Sequence, residues 1–133
     1  VTAIVDDLDI PNLDYVTCYQ SRVGPVEWLK PYTDTAILDA ANQGKVIMVV
    51  PVAFVSEHSE TLVELDIEYK KLATDNGCKQ YTRIPALGTN ELFIKSMSEL
   101  IIKKDEYKFN DYLYPPKIQC PNQFKKCPCL NYE

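Results

Sequence analysis

The chain has 133 residues, of which 46% are hydrophobic and 25% are charged, and its net charge is −5 with an isoelectric point near 4.9. This composition predicts one ordinary globular domain. It disfavours a nucleic-acid partner, because such partners require a basic face. The longest apolar run, residues 46–55, is roughly half the length of a membrane-spanning helix and contains Pro51. No signal peptide is evident and the chain begins at Val1, so we expect a processed protein or a piece of a longer one.

Hydrophobic periodicity predicts helices and strands in alternation. In chain order they are a helix over residues 1–8, a strand over 15–20, a loop over 21–32, a helix over 33–43, a strand over 46–51, a helix over 57–75, a strand over 80–83 and a helix over 90–103. Gly44 marks the end of the second helix, and Asn76-Gly77 ends the third. The order β-α-β-α-β-α predicts an α/β fold whose short parallel sheet is flanked by helices. Three parallel strands leave an exposed edge, which indicates half of a two-lobed protein.

The helix that follows Ser56 carries the most informative pattern. The only histidine, His58, stands before Glu60, Glu64 and Glu68, which recur every four residues. One interpretation is a solvated outer face opposite an inner stripe, and the stripe comprises Leu62, Leu65, Tyr69 and Leu72. Like charges one turn apart repel, however, so a row of oxygen ligands for a divalent cation is the alternative. The last helix presents a similar apolar face, made of Phe93, Met97, Leu100 and Ile101.

The loop after the first predicted strand holds the only tryptophan, Trp28, between Pro25 and Pro31. Trp28 covers one end of the core in the simplest interpretation. A rigid aromatic loop beside an acidic row would equally form the wall of a pocket for a large planar ligand.

Two segments resemble the carboxyl-terminal half of ferrochelatase. The first runs from Gln20-Ser21-Arg22-Val23-Gly24-Pro25 through Trp28-Leu29 to Thr33-Asp34; the second runs from Pro51-Val52-Ala53-Phe54 through Glu57-His58 to residues 60–69. The similarity extends from Val1 to about Lys103. It implies a Rossmann-like three-layer lobe over residues 1–110, one half of a two-lobed chelatase fold, followed by a cysteine-containing tail over residues 111–133.

The resemblance implies a lyase that inserts Fe²⁺ into protoporphyrin IX, the terminal step of haem biosynthesis. It assigns catalytic roles to His58, Glu60 and Glu99, metal binding to Glu60, Glu64 and Glu68, and porphyrin binding to Trp28. Glu60 falls on a helix that the family widens by a π-type bulge, and Glu57 stands where an aspartate is common. The family resemblance also implies the mitochondrial inner membrane, on the matrix side, with peripheral membrane association and a homodimer as further expectations.

One family motif has no counterpart in this chain. Ferrochelatases carry a histidine in a Ser-Ala-His-Ser-Leu-Pro-like segment of the other half, and His58 is the only histidine here. We therefore expect this chain alone to be inactive and to need an amino-terminal lobe. Two alternatives stay open: a ferrochelatase-like protein that binds porphyrin, haem or metal without turnover, and a chelatase for cobalt or nickel in a smaller tetrapyrrole.

The tail concentrates three of the five cysteines, Cys120, Cys127 and Cys129. Clustered thiolates favour metal binding or an iron–sulfur cluster. By family resemblance we expect a [2Fe–2S] cluster, although the spacing of six residues and then one differs from the family's two and then four. A zinc site and an unliganded tail are the alternatives. Cys18 and Cys78 are predicted to be structural thiols.

Overall fold

Helices and strands alternate along most of the chain in the computed structural model, which describes residues 1–20 and 24–102. The helices are α1 (Thr2–Leu8), α2 (Thr33–Asn42), a π-helix (Glu60–Tyr69), α3 (Lys70–Asp75) and α4 (Glu91–Ile102); the strands are β1 (Val46–Val49) and β2 (Gln80–Arg83). The predicted α/β class is confirmed. Lys103, the predicted end of the last helix, lies outside the described residues.

The two strands form a parallel sheet, as predicted. Val46 pairs with Gln80 and Val49 pairs with Arg83 at the two ends of the register. The connection between them contains the π-helix and α3, because parallel neighbours need a long crossover. The carboxyl ends of both strands therefore lie at the edge of the sheet where the crossover begins.

The predicted strand over residues 15–20 is wrong. Only Tyr19 makes a strand-like pairing, an isolated parallel bridge with Tyr32. The Tyr19 N–H donates to the Pro31 carbonyl at 3.0 Å, and the Thr33 N–H donates to the Tyr19 carbonyl at 3.1 Å. The ladder stops there because Pro31 has no N–H to donate and α2 begins at Thr33.

The core of the described chain packs α2 and α3 against the sheet. Its buried members are Ile37, Ala41, Ile47, Ala73 and Cys78, and Val49, Tyr69, Leu72 and Tyr81 pack around them. The helices end where predicted: Gly44 takes a φ of +67°, and its N–H donates to the Ala41 carbonyl at 2.8 Å. A residue with a Cβ would be strained at that φ, which explains the glycine.

The predicted inner stripe of the long helix is only partly correct. Leu65 is buried and Leu72 and Tyr69 pack on the core, but Leu62 is 48% exposed. The predicted stripe assumes α-helical spacing, whereas residues 60–69 form a π-helix. Its i→i+5 hydrogen bonds widen each turn, so residues three apart no longer share one face.

The chain divides into two compact units, Val1–Gly88 and Thr89–Glu133. The sheet and the π-helix belong to the first, and α4 belongs to the second. No residue of α4 is buried, so the predicted buried face of that helix is not observed. The predicted boundary near residue 110 lies outside the described residues. Among the helices that are described, none is long and apolar enough to cross a membrane.

Candidate active site

The turn before the π-helix fixes the backbone of His58. The His58 carbonyl accepts the Thr61 N–H at 3.1 Å, the Leu62 N–H at 2.8 Å and the Thr61 hydroxyl at 3.0 Å. In return, the His58 N–H donates to the Thr61 Oγ1 at 3.0 Å. The fully buried Thr61 hydroxyl therefore contacts both the N–H and the carbonyl of His58, and this interaction, which we call the capping contact, holds the histidine at the start of the helix.

His58 and Glu60 form a close pair. The His58 Nδ1 lies 2.8 Å from the Glu60 Oε2 and 3.2 Å from the Glu60 backbone nitrogen. Nδ1 can accept the backbone N–H only without a proton, and it can donate to the carboxylate only with one. The 2.8 Å contact has the length of a hydrogen bond between an imidazole and a carboxylate, so the two side chains are close enough to exchange a proton.

The imidazole also contacts an aromatic ring, and it stays accessible. The Phe54 ring meets the His58 ring edge to face, with centroids 4.5 Å apart and planes at 82°. The His58 side chain is 31% exposed and that of Glu60 is 39% exposed. A fixed and accessible acid–base pair of this kind can exchange protons with a bound substrate.

Gln20 connects the loop that precedes α2 to the same helix. Its Nε2 donates to the Glu60 carbonyl at 2.9 Å and to the Glu64 Oε2 at 2.8 Å. The neighbouring Tyr19 makes the bridge with Tyr32 that closes the Trp28 loop. The two segments singled out in the sequence therefore meet at Gln20. Trp28 itself is exposed within that loop.

The three predicted metal-binding glutamates occupy different surroundings. Glu60 contacts His58, Glu64 accepts from Gln20, and Glu68 is exposed on the surface of the π-helix. The wide π turn spreads residues that an α-helix would stack four apart. Within the described part of the chain, no group of three His, Cys, Asp or Glu side chains is close enough to hold one metal ion.

An ion network adjoins the pair at the end of β2. The Arg83 Nη1 lies 2.7 Å from the Glu57 Oε1, and its Nε donates to the Asp66 Oδ1 at 2.8 Å while Nη2 binds Asp66 Oδ2. The Ala86 N–H also donates to Glu57, at 2.9 Å. From the same face of β2, the Tyr81 hydroxyl donates to the Leu65 carbonyl at 2.8 Å.

These contacts shift the ionisation of both carboxyl groups. Hydrogen bonds from the Thr61 hydroxyl, from Arg83 and from the Ala86 N–H lower the pKa of Glu57 to about 2. The Thr61 hydroxyl has a single proton, and it also donates that proton to the His58 carbonyl. When it does so, Arg83 and the Ala86 N–H are the donors that remain bound to Glu57. The Arg83 hydrogen bonds lower the pKa of Asp66, and both carboxylates raise the pKa of Arg83. Burial raises the pKa of Tyr81.

The remaining predicted site residues lie in the second unit or outside the described residues. Glu99 is on α4, in the second unit of the chain. Cys120, Cys127 and Cys129 lie outside the described residues. Cys18 and Cys78 are free thiols, and the buried Cys78 belongs to the core, as expected for a structural cysteine.

Sequence reasoning missed four residues that contact the pair or the segment around it. These are Gln20, Thr61, Asp66 and Arg83. A signal for Arg83 was present, since a charged side chain at the carboxyl end of a predicted strand requires a partner where the fold buries it. Gln20 and Thr61 had no such signal, because their importance depends on which segments the fold brings together.

Comparison with known proteins decides the family. The ferrochelatase family model matches residues 1–105, most of the chain. The chain belongs to the ferrochelatase family. It is 68% identical over 133 residues to the ferrochelatase of Pelagibacter ubique, covering 100% of this chain and 39% of that protein. It is 52% identical to the Rickettsia bellii ferrochelatase, covering 98% of this chain and 37% of the relative.

The chain thus spans well under half the length of the ferrochelatases it matches; for Rickettsia felis, at 52% identity, the share is 38%. These relatives are bacterial, and bacteria have no mitochondria. The predicted location at the mitochondrial inner membrane is therefore wrong. That prediction rests on the family as a whole and not on residues of this chain.

Proposed function

We propose that the protein containing this chain inserts Fe²⁺ into protoporphyrin IX, and that His58 and Glu60 are the acid–base pair of that reaction. The observation that carries the proposal is the 2.8 Å contact between His58 Nδ1 and Glu60 Oε2, on side chains that remain about one third exposed. Family membership supplies the reaction. The contact supplies an acid–base group suited to removing protons from the porphyrin.

Metallation of a porphyrin releases two pyrrole protons for each metal ion that binds. An imidazole in contact with a carboxylate can accept a proton at one partner while the other stabilises the charge. Glu64 and Glu68 offer carboxylate oxygens, which suit a hard divalent cation during delivery. Trp28, in the loop tied to Gln20, would supply an aromatic surface for the macrocycle.

Replacing Glu60 tests this assignment. In the full-length gene product, Glu60→Gln should lower turnover by a factor of about 100 or more while porphyrin affinity changes little, since the carboxylate acts in the transition state. Insertion of Fe²⁺ is measured under anaerobic conditions as the loss of porphyrin fluorescence. Affinity is measured by titrating the protein with porphyrin in the absence of metal. Asp39→Asn, on the exposed side of α2, is the matched control for loss of one negative charge.

Near-normal insertion by the Glu60→Gln protein would remove the pair from the mechanism. Porphyrin binding without insertion in the unmodified protein would instead favour the alternative, a ferrochelatase-like binding protein. Faster insertion of cobalt or nickel into a smaller tetrapyrrole would favour a different chelatase.

We further propose that this chain alone is inactive and works with an amino-terminal lobe that carries a second histidine. Two observations support a missing neighbour: His58 is the only histidine, and β1 leaves Val46 and Met48 62% and 65% exposed on one face of the sheet. Mixing this chain with the amino-terminal part of the Pelagibacter ubique relative should create insertion activity. Insertion by this chain alone at the rate of the whole enzyme would refute the proposal.

The [2Fe–2S] cluster expected at the tail cysteines has the least support of the features proposed. The family match ends at residue 105, before Cys120, and nothing in the bacterial relatives' names supports a [2Fe–2S] cluster. A cluster would give visible absorption and acid-labile sulfide that Cys127→Ser abolishes. Colourless protein without bound metal would rule out both the cluster and the zinc site.

The expected homodimer is tested by light scattering. The expected peripheral membrane association is tested by vesicle flotation.

A further inference from the structure

Arg83 joins the two ends of the segment that carries the proposed acid–base pair. Its guanidinium binds Glu57, the residue immediately before His58, and makes a two-pronged contact with Asp66, within the π-helix. Residues 58, 60 and 64 lie between these two anchors. We call the three side chains Glu57, Asp66 and Arg83 the Arg83 clamp.

The clamp is built for a fixed geometry. The Arg83 side chain is only 8% exposed, so its charge depends on the two carboxylates rather than on water. A planar guanidinium can satisfy both at once because its donors point in fixed directions, whereas an ammonium group cannot reproduce the fork. The Ala86 N–H holds the same Glu57 oxygen from the segment that follows β2.

A second contact from the same strand supports this geometry. The Tyr81 hydroxyl holds the Leu65 carbonyl, next to Asp66 in the chain. Residues 81 and 83 lie on one face of β2, because side chains alternate along a strand. The sheet thus holds the middle of the π-helix through Leu65 and Asp66, and holds the turn before it through Glu57.

We propose that Arg83 is a positioning residue that sets the distance between His58 and Glu60; this inference rests on the proposed function of that pair. Without Arg83, the Glu57 and Asp66 carboxylates would lose the counter-charge that they share and would separate. The turn at residue 57 and the helix at residue 66 would then shift independently, and the His58 Nδ1 to Glu60 Oε2 contact would lengthen.

The test compares Arg83→Met, Arg83→Lys and the core variant Ile37→Ala in the full-length gene product. We expect Arg83→Met to lower kcat about 100-fold with KM for porphyrin changed little, as a misplacement near 1 Å would. The kcat of Arg83→Lys should lie between those of Arg83→Met and the unmodified protein, since lysine keeps the charge and loses the forked geometry of the guanidinium. Rates are divided by the folded fraction of each variant, so that loss of stability alone is removed.

A second readout does not depend on turnover. The ¹⁵N chemical shift of the His58 Nδ1, assigned by its loss in His58→Gln, reports the hydrogen bond to Glu60. It should move in both Arg83 variants and stay unchanged in Ile37→Ala. Equal kcat per folded molecule in Arg83→Met and Ile37→Ala, with an unmoved shift, would overturn the inference. If the unmodified protein inserts no metal, the proposed function fails, and the shift alone then decides whether Arg83 positions the pair.

Discussion

The core and the segment that carries the proposed site are held together in different ways. In the core, small and branched apolar side chains such as Ile37, Ala41 and Ala73 pack between α2, α3 and the sheet. The site segment, residues 57–68, is held by polar contacts from two other parts of the chain, through Gln20 and Arg83, and by the internal contact between Thr61 and His58. Packing tolerates small changes of shape, whereas each polar contact depends on one pair of atoms.

This difference predicts that core substitutions change stability and that site substitutions change geometry. The core has many interchangeable contacts, so a defect there lowers the population of folded molecules. The site has few, so a defect there alters the folded molecule itself. Four substitutions or conditions, in order of decreasing effect, test the distinction.

Ile37→Ala should have the largest effect on stability. Ile37 is buried against the sheet, and removal of its branched side chain leaves a cavity that costs about 2–5 kcal/mol. The free energy of unfolding is measured in urea on the full-length gene product. Leu92→Ala, on the exposed surface of α4, is the control and should cost much less. A site-specific loss of activity in folded Ile37→Ala protein would contradict the distinction.

Thr61→Val tests the capping contact at the border between the two regions. Valine keeps the shape of the buried threonine, but the His58 N–H loses its acceptor, at a cost of about 1–3 kcal/mol. The ring ¹⁵N shifts of His58 should change together with the stability. Thr74→Val removes an exposed hydroxyl that bonds the Lys71 carbonyl, and it should change neither quantity by a comparable amount. An equal loss of stability in both variants would show that the capping contact is not special.

The core was more predictable from sequence than the site. Apolar spacing and the Gly44 and Gly77 stops were enough to place α2, α3 and the parallel strands, because these depend on local pattern and burial. The strand over residues 15–20 failed because its partner contains Pro31 and turns into α2. Leu62 was misplaced because a 3.6-residue period does not describe a π-helix.

The site was predictable only in part, and through the family resemblance. His58 and Glu60 were named from the sequence, and the structure brings them into contact. The residues that hold them, Gln20 and Arg83, come from 40 residues before and 23 residues after Glu60, by their numbering. Contacts over such separations leave no periodic trace in one sequence.

Gln20→Leu should have a smaller effect than Thr61→Val. Gln20 is half-buried and donates two hydrogen bonds, and losing them should cost about 1–2 kcal/mol because water can replace part of the contact to Glu64. The matched control is Gln43→Leu, which removes an exposed bond to the Asp39 carbonyl. Urea unfolding compares the two variants. If Gln43→Leu costs as much, the link between the Trp28 loop and the π-helix contributes nothing of its own.

Acid should weaken the site segment before the core. The pKa of Glu57 is about 2 in the folded chain, against an ordinary value of 4.5, so the folded state holds the carboxylate charged over that interval. A group with a lowered pKa stabilises the fold above its unfolded pKa, and this stabilisation is lost as the pH falls from about 4.5 toward about 2. Asp66, whose pKa Arg83 also lowers, acts in the same direction.

Glu57→Gln should therefore flatten the dependence of stability on pH in that interval. Urea unfolding at pH 7, 4 and 3 measures it, with Asp39→Asn as the control, since Asp39 forms no ion pair among the described residues. The effect should be the smallest of the four, because Glu57 is partly exposed and its attraction to Arg83 is weakened by solvent and salt. A Glu57→Gln protein that loses as much stability in acid as the unmodified one would show that folding does not lower the pKa of Glu57.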